Sequence, residues 1–161
     1  MPRKKSNELR LPALEVHQAP RRRLYVFAVD GKEVPRFASV SRIKRNGQDV
    51  AGYQRPEVLA HIGEIRAYLE GNDPMIPNAV VLAFDKRVRF ESHFGPTGNY
   101  TRPGEIIIPV ESAWADDEKP GFIVDGQQRL AAIRDAEIER FPMCVTAFIT
   151  DDLKQQTEQF I

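Results

Sequence analysis

The stretch Gly121-Phe122-Ile123-Val124-Asp125-Gly126-Gln127-Gln128-Arg129-Leu130 decides how the chain is read. Phe122 to Val124 is a short continuous apolar run of the kind buried in a sheet. Leu130-Ala131-Ala132-Ile133-Arg134 is built from good helix formers. A strand therefore turns into a helix at Asp125-Gly126, aiming the first free N–H groups of that helix at one point. Those donors have no intrahelical partner and sit at the positive end of the helix dipole, which is how helix starts receive phosphate. Gly126 permits a tight bend and close approach of a ligand to the main chain. Arg129, one turn in, supplies a planar two-pronged donor, and Gln127 and Gln128 offer donors and acceptors for a base edge, a ribose or a water.

Magnitudes restrain that reading. A helix terminus contributes about 0.3–1 kcal/mol, up to ~2 when partly buried, whereas micromolar binding requires roughly 8 kcal/mol. The turn needs Arg129, further basic groups and a wall for the base. The plain alternative is an αβ connection in which Asp125 caps the helix and the Gln pair faces solvent. From spacing alone, the plain connection weighs more.

Outward from this turn, Val58, Ile62, Ile65 and Leu69 form one apolar helical face. Pro56 suits the first turn of that helix (57–70) and Gly71-Asn72 ends it. Leu24 to Val29 reads as a strand stopping at Asp30-Gly31, with 34–40 as its hairpin partner. Ala79 to Phe84 is a buried strand, with Val88 and Phe90 on a following hairpin arm. Residues 95–104 read as a loop, 105–110 as a strand around three isoleucines, and 115–120 as an acidic loop. Pro142 to Ile149 is a further strand. Asn46-Gly47 marks a turn, and Asp151 caps a last helix containing Leu153 and Phe160. That pattern stops in mid-helix, as expected of an N-terminal fragment of a longer chain. Alternating strands and helices predict an α/β or α+β domain with a mixed sheet.

The 161 residues suit one domain, 42% hydrophobic and 29% charged. No apolar run is long enough to span a bilayer and the start has no secretory h-region, so a cytoplasmic location is expected. Cys144, the single cysteine, forms no internal disulfide and reads as a buried structural thiol. The zero net charge divides into +8 over residues 1–45 and −8 beyond. Such a split points to a polyanionic partner for the basic part, or to a solvated tail. Residues 1–20 are expected to be a flexible basic segment and 21–161 the domain. His17, His61 and His93 lack paired metal-ligand spacing, and Asp116-Asp117-Glu118 reads as an acidic surface loop rather than a Mg²⁺ site. No P-loop is present. Tyr100 and Arg102 lie in the 95–104 loop, where they can meet nucleic acid by stacking and charge.

Asp125-Gly126-Gln127-Gln128-Arg129 resembles the signature of the DGQHR-domain family, which includes DndB-type proteins of bacterial DNA phosphorothioation systems and relatives in 7-deazaguanine DNA modification. These resemble the ParB/sulfiredoxin fold, where a Gly-x-x-Arg turn at a helix start binds nucleotide phosphate; Gly126-Gln127-Gln128-Arg129 matches that pattern. Tyr53-Gln54-Arg55-Pro56 and the order of elements extend the likeness over roughly 20–161. The departure is Gln128, where the signature has His, which removes an imidazole as general base. The turn also lacks a sulfiredoxin-type Cys.

The resemblance implies a protein of a DNA-modification or phage-defence system that binds, and as an NTPase hydrolyses, ATP or GTP with Mg²⁺ in association with DNA. In it the Gly126–Arg129 backbone cradles phosphate, Arg129 stabilises the transferred group, Gln127 or Gln128 orients water, and Asp125 fixes the turn or holds Mg²⁺ through water. Gln54 and Arg55 add phosphate contacts. Arg21, Arg22, Arg23, Arg42, Lys44 and Arg45 are candidate DNA-backbone contacts. The competing expectation is a non-catalytic DNA-binding regulator of a DNA-modification locus. Other modification proteins are expected partners, and no membrane is.

Overall fold

The computed structural model describes residues 7–40, 55–95 and 97–150. Its elements in chain order are β1 (Glu8–Ala19), β2 (Arg22–Asp30), β3 (Ala38–Val40), α1 (Pro56–Leu69), β4 (Val80–Phe84), β5 (Arg89–Ser92), β6 (Thr101–Pro109), β7 (Gly121–Asp125), α2 (Gln127–Asp135) and β8 (Pro142–Ile149). The strands form one sheet in the order β3-β7-β4-β8-β2-β1-β6-β5. β3 is parallel to β7 and β4 to β8, while the other neighbours are antiparallel. The mixed sheet and two helices make an α+β architecture of the expected class.

Period-two alternation turns one side of the strands into a shared core. Val80, Leu82 and Phe84 of β4 join Met143, Val145 and Ala147 of β8 in a single core with Ile62 and Leu69 of α1 and Leu130 to Ile133 of α2. The intervening residues Val81, Ala83, Phe122, Val124 and Phe148 pack on the other face as a smaller cluster. At the hairpin end of that second face, the cross-strand partners Leu14 and Val26 are exposed.

Several expectations change. Residues 8–19, expected within a flexible basic segment, form the longest strand, held between β2 and β6. Leu9, Leu11 and Ala13 supply its inward face. Its apolar alternation is hidden by Glu15 at an inward position and by Pro12, which stands where pairing with β2 has already ended at Ala13. Residues 34–40 do not pair with β2. Pro35 lies in a 3₁₀ turn over Val34–Arg36, and β3 joins β7 instead. The chain leaves β2 because Asp30 Oδ1 accepts the main-chain N–H of both Lys32 and Phe141, each at 3.0 Å. β5 pairs with β6 rather than β4, and β6 starts at Thr101, inside the stretch read as loop. Cys144 is exposed, because it falls on the out-of-phase side of β8 between buried Met143 and Val145. Gln54, Arg42, Lys44, Arg45, the Asn46-Gly47 turn and the helix expected after Asp151 lie outside the described residues.

Candidate functional site

β7 runs into α2 through Gly126, whose φ of 105° and ψ of 16° place it in the left-handed region. Close packing adds a second demand for glycine, since a Cβ there would stand 2.5 Å from Val80 Cγ1 and 3.3 Å from Arg129 Nη2. The missing side chain is thus required by β4 behind the bend as well as by the bend itself. The first main-chain donors of α2 follow from Gln127 onward, with Leu130 N already bonded to the Gly126 carbonyl.

In front of the turn lies a cavity of about 530 Å³. α1 forms its opposite wall through His61, Glu64, Ile65 and Tyr68, with Ile76 beyond, and the turn contributes Val124 to Arg129. That volume is in the range of small-molecule sites. The walls are pinned at their far ends. Tyr68 Oη donates to the Met75 carbonyl at 2.9 Å and accepts its N–H at 2.7 Å. Glu70 Oε2 accepts the Glu137 N–H at 2.7 Å and Arg66 Nε–H at 3.0 Å, tying the end of α1 to the chain after α2. The Glu137 N–H first, then Arg66, hold the Glu70 carboxyl below its ordinary range. Lys32 Nζ closes the end of α2 by donating to the carbonyls of Ile133 (2.8 Å) and Ala136 (2.9 Å).

The structure brings Asp125, Gly126, Gln127, Gln128 and Arg129 to one cavity, and it changes the local reasoning for four of them. Asp125 does not cap α2; its side chain is 69% exposed, with Oδ2 3.6 Å from Arg129 Nη2. The Gln pair is not simply in solvent. Both are half-buried, and Gln127 Nε2 donates to the Ile123 carbonyl at 3.2 Å. Arg129 is four-fifths buried, and its Nη1 donates to the carbonyl of Asn78 at 2.5 Å and, at 3.4 Å, to that of Ala79. The guanidinium therefore braces the start of β4 against the turn while one side still lines the cavity. Arg55 precedes α1, 66% exposed and 3.9 Å from Glu57, and does not line the cavity. Arg21, Arg22 and Arg23 are exposed around the β1–β2 turn.

Sequence reasoning missed His61, Glu64 and Tyr68. Their spacing of three and four marks a helical face beside the apolar one, but nothing local says which element that face meets. Among the described residues, no three His, Cys, Asp or Glu side chains converge as a metal cluster. No helix among them is long and apolar enough to cross a membrane.

A mixed-sheet α+β domain with a glycine bend and a braced arginine opening on a small-molecule-sized cavity is the class that fold and site define. Residues 11–161 match the DndB family, described as DNA-sulfur modification-associated, and the chain belongs to it. It is thus a protein of a DNA-modification system. No curated protein matches the chain, and no solved structure does.

Proposed function

We propose that this DndB-family protein binds the phosphates of a nucleoside triphosphate at the Gly126–Arg129 turn and hydrolyses it in association with DNA. One observation carries the reading: Gly126, Gln127, Gln128 and Arg129, at the bend where α2 begins, line the cavity of about 530 Å³ walled by α1. In this reading the turn follows the Gly-x-x-Arg logic of ParB-like domains, and Arg129, braced on the Asn78 and Ala79 carbonyls, presents the rest of its guanidinium to phosphate oxygen. Gln128 positions the attacking water, and Gln127, held by the Ile123 carbonyl, steadies the bend. His61 and Glu64 stand across the cavity as the groups an incoming phosphate meets. The carboxylates of Asp125 and Glu64 suit a hard cation, so they are the residues that would hold Mg²⁺ arriving with the nucleotide, whose charge it neutralises. Phosphoryl transfer depends on positioning and charge neutralisation rather than on a covalent nucleophile, which fits these groups.

A second reading is favoured by a different observation. Arg129 is already engaged with two carbonyls, so the turn also suits a structural role in a DNA-binding regulator. Titration with fluorescent ATP and GTP analogues, alongside phosphate release, separates the two. Nucleotide binding is expected to weaken about 10–100-fold in Arg129→Gln, the span of a lost charged hydrogen bond. Gln128→Ala is expected to keep binding and lose hydrolysis. No nucleotide binding by the parent protein, with duplex DNA binding that falls steeply in salt, selects the regulator.

A further inference from the structure

At the sheet end formed by the β1–β2 hairpin, on the side of the strands that faces the core, stands a group of charges that the turn and its cavity do not use. Glu15 is buried, its side chain only 2% exposed, in a cross-strand row with Tyr25 and Arg102. Its Oε1 accepts Arg102 Nε–H at 3.1 Å and lies 3.0 Å from Arg102 Nη2 and 2.7 Å from His17 Nε2. Its Oε2 accepts the Tyr25 hydroxyl at 3.2 Å, with Arg23 Nη1 at 3.8 Å. Arg102 also lies over the Phe90 ring, 5.8 Å from its centroid. The next row carries Arg23 across from His17, whose N–H donates to the Tyr100 carbonyl at 2.8 Å.

One buried acid thus holds two guanidiniums and an imidazole in fixed positions without cancelling them. Arg23 and Arg102 keep about half of their side-chain surface in water, at 52% and 42%. Arg21 and Arg22 extend the positive charge around the hairpin. Tyr100, whose carbonyl accepts the His17 main-chain N–H, is 71% exposed. Phe94 follows His93, whose main-chain N–H donates to the Pro103 carbonyl at 2.9 Å, and is fully exposed. Exposed rings next to oriented guanidiniums are what single strands require: a charged track for the backbone and flat faces on which unpaired bases stack. A duplex hides its base faces and gains only from the charge.

We propose that this end of the sheet is a binding surface for single-stranded DNA, with Arg23 and Arg102 on the phosphates and Tyr100 and Phe94 stacking on bases. The proposal rests on the DNA association in the proposed function and not on its nucleotide chemistry.

The test is fluorescence anisotropy of the whole chain with a labelled oligothymidylate of about 16 nucleotides, the upper range for one such surface, and with a duplex of equal length. The single strand is expected to bind more tightly than the duplex. Tyr100→Ala and Phe94→Ala, exposed positions that leave the melting temperature unchanged, are each expected to weaken the single strand about tenfold and to spare the duplex. Arg23→Gln weakens both and flattens the salt dependence. Equal affinity for duplex and single strand, with no effect of the aromatic variants, overturns the surface while leaving DNA association intact. Absence of binding to either DNA overturns both, and nucleotide binding measured on the same sample then stands or falls separately.

Discussion

Gly126→Ala is expected to lower the melting temperature by about 10 °C. Two effects add. A non-glycine residue held in a sparsely populated positive-φ region costs about 1–3 kcal/mol, and Gly126 sits at 105°. The new methyl also meets Val80 Cγ1 at 2.5 Å. Val80 is fully buried on β4, so relief requires moving a core strand, and overpacking of this kind costs about 1–3 kcal/mol. Together they reach about 3 kcal/mol, and in a chain of this length each kcal/mol moves the midpoint by about 2–4 °C. Pairing Gly126→Ala with Val80→Ala separates the contributions. The double variant removes the Cγ1 clash but keeps the Val80 Cβ, which the new methyl would meet at 2.9 Å. A favourable coupling of about 1 kcal/mol is therefore expected, while that contact and the backbone strain persist. A midpoint within a degree of the parent would mean that β4 does not back the bend.

Replacing Glu15 is the second large effect, and it depends on pH. Burial alone pushes this carboxyl up, but the hydrogen bond with His17, the Arg102 charge, the Tyr25 hydroxyl and Arg23 outweigh burial and hold it below its ordinary value. Burial first, then the Glu15 charge and hydrogen bond, push the Tyr25 hydroxyl up to about 12. Because the folded carboxyl is the stronger acid, its stabilisation is fully present above the unfolded value near ~4.3 and disappears as pH falls through the lower folded value. Glu15→Ala at neutral pH is expected to cost about 2–3 kcal/mol, the span of hydrogen bonds to a buried charge, with Arg23 and Arg102 limiting the loss by turning to water. Glu15→Gln keeps an acceptor for Tyr25 and removes the charge. Urea unfolding from pH 7 down to about 3 should show the gap between parent and Glu15→Gln closing as the carboxylate protonates. A gap that stays constant through that window would show that charge is not what holds the cluster.

Much of the local structure was legible in the chain. The α1 face, β4, β7, α2 and β8 each carry a periodicity or a run that belongs to one element type, with Pro56 and Gly126 at their boundaries. The strand-to-helix bend was legible for the same reason, since an apolar triplet, a glycine and a helix-forming run leave the backbone few choices. Strand β1 was not. Glu15 looks polar and Pro12 looks like a breaker until Arg102, His17 and Tyr25 are found around the one and the end of the β2 ladder beside the other.

Sequence by itself determined a mixed-sheet domain of the α/β or α+β class, the bend at Gly126 and the group of five residues around it, because those follow from dihedral preference and hydrophobic period over a few neighbouring positions. Tertiary structure alone decided that β3 pairs with β7, that His61 and Glu64 of α1 face the bend, and that Arg129 is braced on the Asn78 and Ala79 carbonyls. Each of those contacts joins residues dozens of positions apart. Such contacts depend on which apolar faces bury each other across the sheet, a choice that no local window of the chain contains.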